Sequence, residues 1–375
     1  MRIALVCSEV IRESGHGRYM LELARRLAAA HEVHVYSDLF DPLPGVTHHR
    51  VPAPTGINLL RVYAFWWRAS RALRGVPYDI VHTIGGCCAR HDVVTVQFAQ
   101  RPWGAQLAKL EAQHRQTPVL VGSPLRRLYH QLYWRLCDLL EAPAFRSKHL
   151  IAVSEGVRDE LHTFYGTPKE DVTVVYNGVE PGEWADLAAL RAPTRQALGL
   201  ADEPAMLFVG DFYRKGLATV IAALARHPVA SLIVVGRGEE GAFRAQARDL
   251  GVEDRLRFVG FQKDVRPYFA AADMFVFPTR YEPFGMVVTE AMAAGLAVIT
   301  TRAAGAAEVI TAGVDGIVLD DPEDVAALAE AMGELLADAG RRQEMGAAAR
   351  RAAARVSWDY VVTETLAVYR AVGVR

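Results

Sequence analysis

Short apolar runs and helical stretches alternate along almost the whole chain, joined by turns that carry glycine. A first series of runs comprises Arg2-Ile-Ala-Leu-Val-Cys-Ser8, Glu32–Ser37, Asp79–Gly85, Asp92–Phe98, His149–Ser154 and Val172–Val179. A second comprises Ala205–Asp211, Ser231–Gly238, Arg255–Gln262, Met274–Pro278 and Gly316–Asp320. A run that is apolar on both faces must be covered on both, and helices inserted between parallel strands achieve that. The predicted fold class is therefore α/β, with two doubly wound Rossmann-like sheets. A length of 375 residues suits two domains at ~100–200 residues each.

The corner from Met274 to Thr301 carries the most chemistry. The apolar run ends at Pro278, a loop holds Pro283 and Gly285, and Met286 to Ala294 reads as a helix stopped by Gly295. Unpaired backbone N–H groups at such a helix start form a seat for an anion. Glu282 sits in the loop, and Glu290, four residues after Met286, returns to the same helix face. A carboxylate repels a phosphate but accepts hydrogen bonds from sugar hydroxyls. Phosphate and polyol together describe a nucleotide sugar. In the second series Arg214 and Lys215 also arrive where a helix starts, an unfavourable place for cations unless an anion binds there.

These residues resemble those of the retaining family-4 glycosyltransferases, which have the GT-B fold of two Rossmann-like domains facing across a cleft. Glu282-Pro-Phe-Gly-Met-Val-Val-Thr-Glu290 is similar to that family's E-x7-E motif. Glu13-Ser-Gly-His-Gly-Arg-Tyr19 resembles its GGxGRY loop, with Gly15 in the second glycine position and Ser14 in place of the first. The form Val-Gly-Asp-Phe-Tyr-Arg-Lys-Gly216 most resembles the bacterial lipopolysaccharide-core glucosyltransferase branch. Tyr176-Asn-Gly-Val179 is similar to the interdomain segment, and Ser357-Trp-Asp-Tyr360 to the closing helix. The implied domains are 1–180 on the acceptor side, 181–355 binding the nucleotide sugar, and a helix over 356–375 crossing back to the first.

The resemblance implies a hexose moved from a nucleoside diphosphate donor, UDP-glucose or a related UDP-hexose, to an acceptor hydroxyl in cell-surface glycan or lipopolysaccharide synthesis. It assigns the diphosphate to Lys215, Arg214, the Gly15 backbone and the N–H groups of Phe284, Gly285, Met286 and Val287. Glu290 would hold the ribose, Glu282 the donor sugar, and Phe261 would line the nucleobase. Asp211 stands where the family often has an Arg. Gln97 stands where it usually has a His facing the sugar; a Gln can hydrogen-bond a hydroxyl but cannot shuttle protons. Either no imidazole is needed or His82, His91 or His16 supplies one. No Asp-x-Asp motif stands in a suitable loop, so no metal or other cofactor is expected. Two rivals remain open: a nicotinamide-dependent oxidoreductase, motivated by the Gly15-His-Gly17 loop, and a GT-B protein that binds nucleotide or sugar without transfer.

Net charge is −1, but residues 1–165 carry 20 Lys+Arg against 14 Asp+Glu, and the remainder 22 against 29. The basic half is expected to meet something anionic, unless its charges are simply solvated. Asn58–Arg74 interleaves Phe65, Trp66 and Trp67 with Arg61, Arg68, Arg71 and Arg74. That pattern suits a helix on an anionic lipid surface, and equally a core-packed helix with a basic outer face, which is the favoured reading. The Arg101–Lys148 segment, with Arg126, Arg127 and Arg135 among aromatics, would overhang the acceptor side; a phosphorylated or lipid-linked acceptor, or a glycan, accounts for its charge, and so does simple solvation. No apolar run reaches the ~18 residues of a membrane span, and Met1–Val10 reads as a first strand rather than a signal peptide. The four cysteines lack zinc spacing and suit buried thiols in a reducing compartment. A cytoplasmic protein that can reach the inner membrane face is expected, without a nucleic-acid partner.

Overall fold

The computed structural model describes residues 1–113 and 124–373, with side chains for all of these except 110–113 and 124–127. The chain divides into two compact units, Met1–Tyr176 with Trp358–Arg375, and Asn177–Ser357. The crossing points thus fall at 176/177 and 357/358 rather than at 180/181 and 355/356.

In the first unit seven parallel strands lie in the order Val46–Arg50, Glu32–Ser37, Arg2–Val6, Ile80–Ile84, Val93–Val96, Leu150–Ala152, Val172–Val174. Ile3, Ala4, Leu5 and Val6 are all fully buried, as expected of a strand covered on both faces. Strand order reverses between Arg2–Val6 and Ile80–Ile84, because the chain winds outward first on one side and then on the other. Helix Gly15–Leu27 follows the first strand, and Ser14 caps it by accepting the Gly17 N–H at 3.4 Å. Gly17 is the glycine this turn requires, since a Cβ there would stand 2.8 Å from the Glu9 carbonyl oxygen. Gly15 is exposed.

Helix Trp358–Val372 belongs to this unit. Trp358 packs edge-on against Tyr19 with ring centroids 6.1 Å apart, and Arg26 reaches Asp359 at 2.7 Å. His82 lies fully buried between the Tyr369 hydroxyl and Thr95 Oγ1, at 2.7 Å from each. Burial lowers its pKa to about 3, so it is neutral. His82 is thereby a structural histidine and not a source of catalytic imidazole.

The second unit holds six parallel strands in the order Leu256–Gly260, Ser231–Arg237, Ala205–Asp211, Met274–Phe277, Ala297–Thr301, Ile317–Leu319. This is the Rossmann order, with its reversal between Ala205–Asp211 and Met274–Phe277. Helix Val325–Ala337 packs on Leu217–Leu224, while Ala339–Ala353 packs on Met286–Ala293. Asp321 stands before Pro322, a pair that by itself reads as the cap and first turn of a helical tail. The helix instead begins at Val325, where Asp324 accepts the N–H groups of Ala326 and Ala327 at 2.9 Å, and Asp321 closes a turn onto Glu323 N–H.

Candidate active site

Ligands of open α/β sheets bind beyond the carboxyl ends of the strands where their order reverses. In the second unit the two loops at that point are 212–216 and 278–285, and hydrogen bonds stitch them together. The Arg280 N–H donates to the Arg214 carbonyl at 3.0 Å, and the Thr279 hydroxyl donates to the same oxygen at 3.3 Å. Gly216, at φ 82°, makes the approach possible, since a Cβ there would lie 2.2 Å from the Pro278 carbonyl oxygen. A third loop backs them: Glu282 N–H donates to Ala303, and Gly305 N–H to Glu282, each at 2.9 Å.

Into this corner the chain sends two cations. Lys215 is buried, its ammonium 4.7 Å from the centre of the Phe277 ring, and it is ion-paired with Glu282. Arg214 lies 3.7 Å from the same carboxylate oxygen. Burial, followed by the Arg214 charge, holds the Lys215 pKa well below its ordinary value; burial lowers that of Arg214 too. Two positive groups thus share one carboxylate in a desolvated place, an arrangement that further negative charge would stabilise. Asp211, found where an Arg is frequent, serves the turn: its Oδ1 accepts the Arg214 N–H at 2.7 Å.

Helices Leu217–Leu224 and Met286–Ala293 start from Gly216 and Gly285, and neither start has a side-chain cap. Phe284 and Gly285 are buried, Met286 and Val287 are half-buried, and Glu290 is buried. Lys215, Arg214, Glu282, Phe284, Gly285, Met286, Val287 and Glu290 therefore cluster on the two central strand ends. Phe261 follows strand Leu256–Gly260, and Arg237, which ends the neighbouring strand, lies over its half-exposed ring at 3.9 Å.

Gly15 and Gln97 belong to the first unit, as do His16 and His91. Gln97 directly follows strand Val93–Val96 and lines a cavity of about 370 Å³ at that unit's own reversal point, together with His16, Arg61, Gln100, Tyr133 and Glu141. Sequence reading passed over Glu141 because nothing near it in the chain marks it; helix Pro124–Ala144 carries it in. The side chains of Arg126 and Arg127 lie outside the described residues. Among the described residues no group of three or more His, Cys, Asp or Glu is arranged to hold a metal ion.

Residues 14–183 match the family model "Glycosyltransferase Family 4", and 191–352 match "Glycosyl transferases group 1". The glycogen synthase of Mycobacterium tuberculosis is 32% identical over 302 residues, which cover 78% of this chain and 69% of that protein. The chain belongs to glycosyltransferase family 4. An uncharacterized glycosyltransferase of Methanocaldococcus jannaschii, MJ1607, is 32% identical over 242 residues, so that match covers 60% of the length of each. Among solved structures, WaaG, a glycosyltransferase involved in lipopolysaccharide biosynthesis, superposes with a TM-score of 0.77 at 25% identity over 97% of this chain and 98% of that one. Anabaena HepE, solved in complex with UDP-glucose, shares the fold with a TM-score of 0.71 at 21% identity over 98% and 99% of the two chains. Two Rossmann-like halves are the GT-B architecture of such family-4 glycosyltransferases, as the sequence implied.

Proposed function

We propose that this family-4 protein is a retaining, metal-independent hexosyltransferase whose second unit binds a UDP-hexose, UDP-glucose or a close relative, by its diphosphate. The observation that carries the reading is the pairing of buried Lys215 and half-buried Arg214 with the uncapped helix start at Gly285, at the reversal point of the sheet. The uridine donor draws support from the UDP-glucose complex of HepE. A role in cell-surface glycan synthesis draws support from the likeness to WaaG.

As the glycosidic bond to the β-phosphate breaks, negative charge grows on the leaving diphosphate. Lys215, Arg214 and the N–H groups of Gly285, Met286 and Val287 are fixed before the reaction begins, so they stabilise that charge without reorganisation. The same cations perform the neutralisation that a divalent ion supplies in other transferases. Glu282 is released from Lys215 by the diphosphate and accepts hydrogen bonds from the donor sugar, and Glu290 accepts from the ribose. The acceptor hydroxyl attacks from the face the diphosphate leaves, and its proton passes to a phosphate oxygen, so configuration is retained without a covalent intermediate.

Helix Asn58–Ala72 buries Phe65 and Ala69 but leaves Leu60, Tyr63 and Trp67 about half exposed. That face supports peripheral contact with an anionic membrane from the cytoplasmic side. Incubating the purified protein with UDP-, GDP- and ADP-glucose tests the donor reading. UDP release with α-configured product supports it; no turnover of any UDP-hexose, or β-configured product, overturns it.

A further inference from the structure

We infer that the first unit's cavity takes an uncharged polyol with an apolar face, a sugar or glycoside and not a phosphate, and that Glu141 hydrogen-bonds one of its hydroxyls. The inference rests on the transferase reading only in calling this guest the acceptor.

The argument begins with charge. Residues 1–165 hold an excess of cations, yet among the described residues that line the cavity Arg61 alone is cationic, and it is paired with Glu9 at 2.7 Å. Burial lowers the His16 pKa, which keeps its imidazole neutral. Several other first-half arginines serve the fold: Arg101 binds Asp138 at 2.7 Å, Arg90 donates to the Val76 carbonyl at 2.6 Å, and Arg25 and Arg26 hold Glu22. A phosphate entering here would give up its hydration with no free cation among the described lining residues to replace it.

Glu141 completes the neutrality. Its Oε2 accepts the Gln100 N–H at 3.3 Å. The groups around it are Tyr133, Cys137 and Asp138 on its own helix, Cys87 after strand Ile80–Ile84, and Tyr165 on helix Glu155–Tyr165. None of these is cationic; Asp138 is negative and is itself held by Arg101, on helix Gln100–Gln113, at 2.7 Å. Burial, moderated by the Gln100 N–H and augmented by Asp138, raises its pKa to about 8. At pH 7 Glu141 is thus a carboxylic acid, which both donates and accepts, the pattern that matches a hydroxyl. Phe65, Trp66 and Phe98 add an apolar wall suited to the C–H face of a sugar ring.

Calorimetric titration of the full chain with phenyl β-D-glucopyranoside and with its 6-phosphate tests this. The neutral glycoside should bind, with the phosphate at least about tenfold weaker. Glu141→Ala should weaken the glycoside by about tenfold, whereas Glu141→Gln, whose amide also donates and accepts, should stay within about threefold. Between pH 7 and 9.5 wild-type affinity should fall as Glu141 ionises, and that of Glu141→Gln should stay flat, a contrast that a merely structural role would not produce. Equal or tighter binding of the phosphate, no binding of the glycoside at millimolar concentration, or an unaffected Glu141→Ala overturns the inference. UDP binding, monitored in parallel, reports on the second unit alone. Its absence would sink the donor proposal and leave the glycoside result standing.

Discussion

Lys215 and Glu282 form an ion pair inside the second unit, with side chains only 9% and 14% exposed, and Arg214 stands against the same carboxylate. Without ligand, Glu282 is the anion that makes the buried Lys215 and the half-buried Arg214 tolerable. A bound diphosphate and Glu282 are therefore competitors for one pair of partners.

Replacing Glu282 with Gln removes the internal anion. Free protein should lose stability on the order of a few kcal/mol, because buried Lys215 is left without its anion and still faces Arg214. UDP should restore that loss, so the rise in melting temperature on saturation with UDP should exceed that of wild type. Differential scanning fluorimetry with and without UDP checks both halves. An equal UDP-induced rise in variant and wild type would contradict the competition.

Gly216→Ala should damage both the fold and the site. Its Cβ would meet the Pro278 carbonyl oxygen at 2.2 Å, and its φ of 82° is left-handed, so strain of ~1–3 kcal/mol falls on the loops carrying Lys215 and Glu282. Urea denaturation should show a lower midpoint with an unchanged slope. An unshifted midpoint would mean that the two loops are not held by this approach.

His82 makes the first unit sensitive to acid. Its folded pKa, about 3, lies below the unfolded value near 6.5, so the unfolded chain binds the extra proton. Stability from this group is complete above pH 6.5 and is lost as pH falls from there towards 3, by an amount on the order of a few kcal/mol. His82→Phe should flatten that part of a stability-against-pH curve, and an undiminished acid slope would assign the sensitivity elsewhere.

The two sheets were legible in the sequence because their strands are buried on both faces, which writes continuous apolar runs such as Ala205–Asp211 into the chain. The cluster around Lys215 was legible for a related reason: cations at a helix start contradict local electrostatics and so mark a ligand. Contacts between distant residues left no such mark. Tyr369 bonding His82, Glu141 reaching Gln97's cavity and Phe261 meeting Arg237 each depend on tertiary packing. Local competition also misled. Asp321 precedes a proline and reads as a cap, yet Asp324, nearer the apolar periodicity, takes that role. Gly15 drew attention through its motif, while the tight approach is made by Gly17.

The central claim is that Lys215 grips a diphosphate in the second unit, and calorimetric titration of UDP into wild type and Lys215→Ala tests it most directly. With both proteins folded by circular dichroism, the variant should bind UDP at least about tenfold more weakly, the loss of one charge-assisted contact to phosphate. Equal affinity in the two proteins would contradict the account.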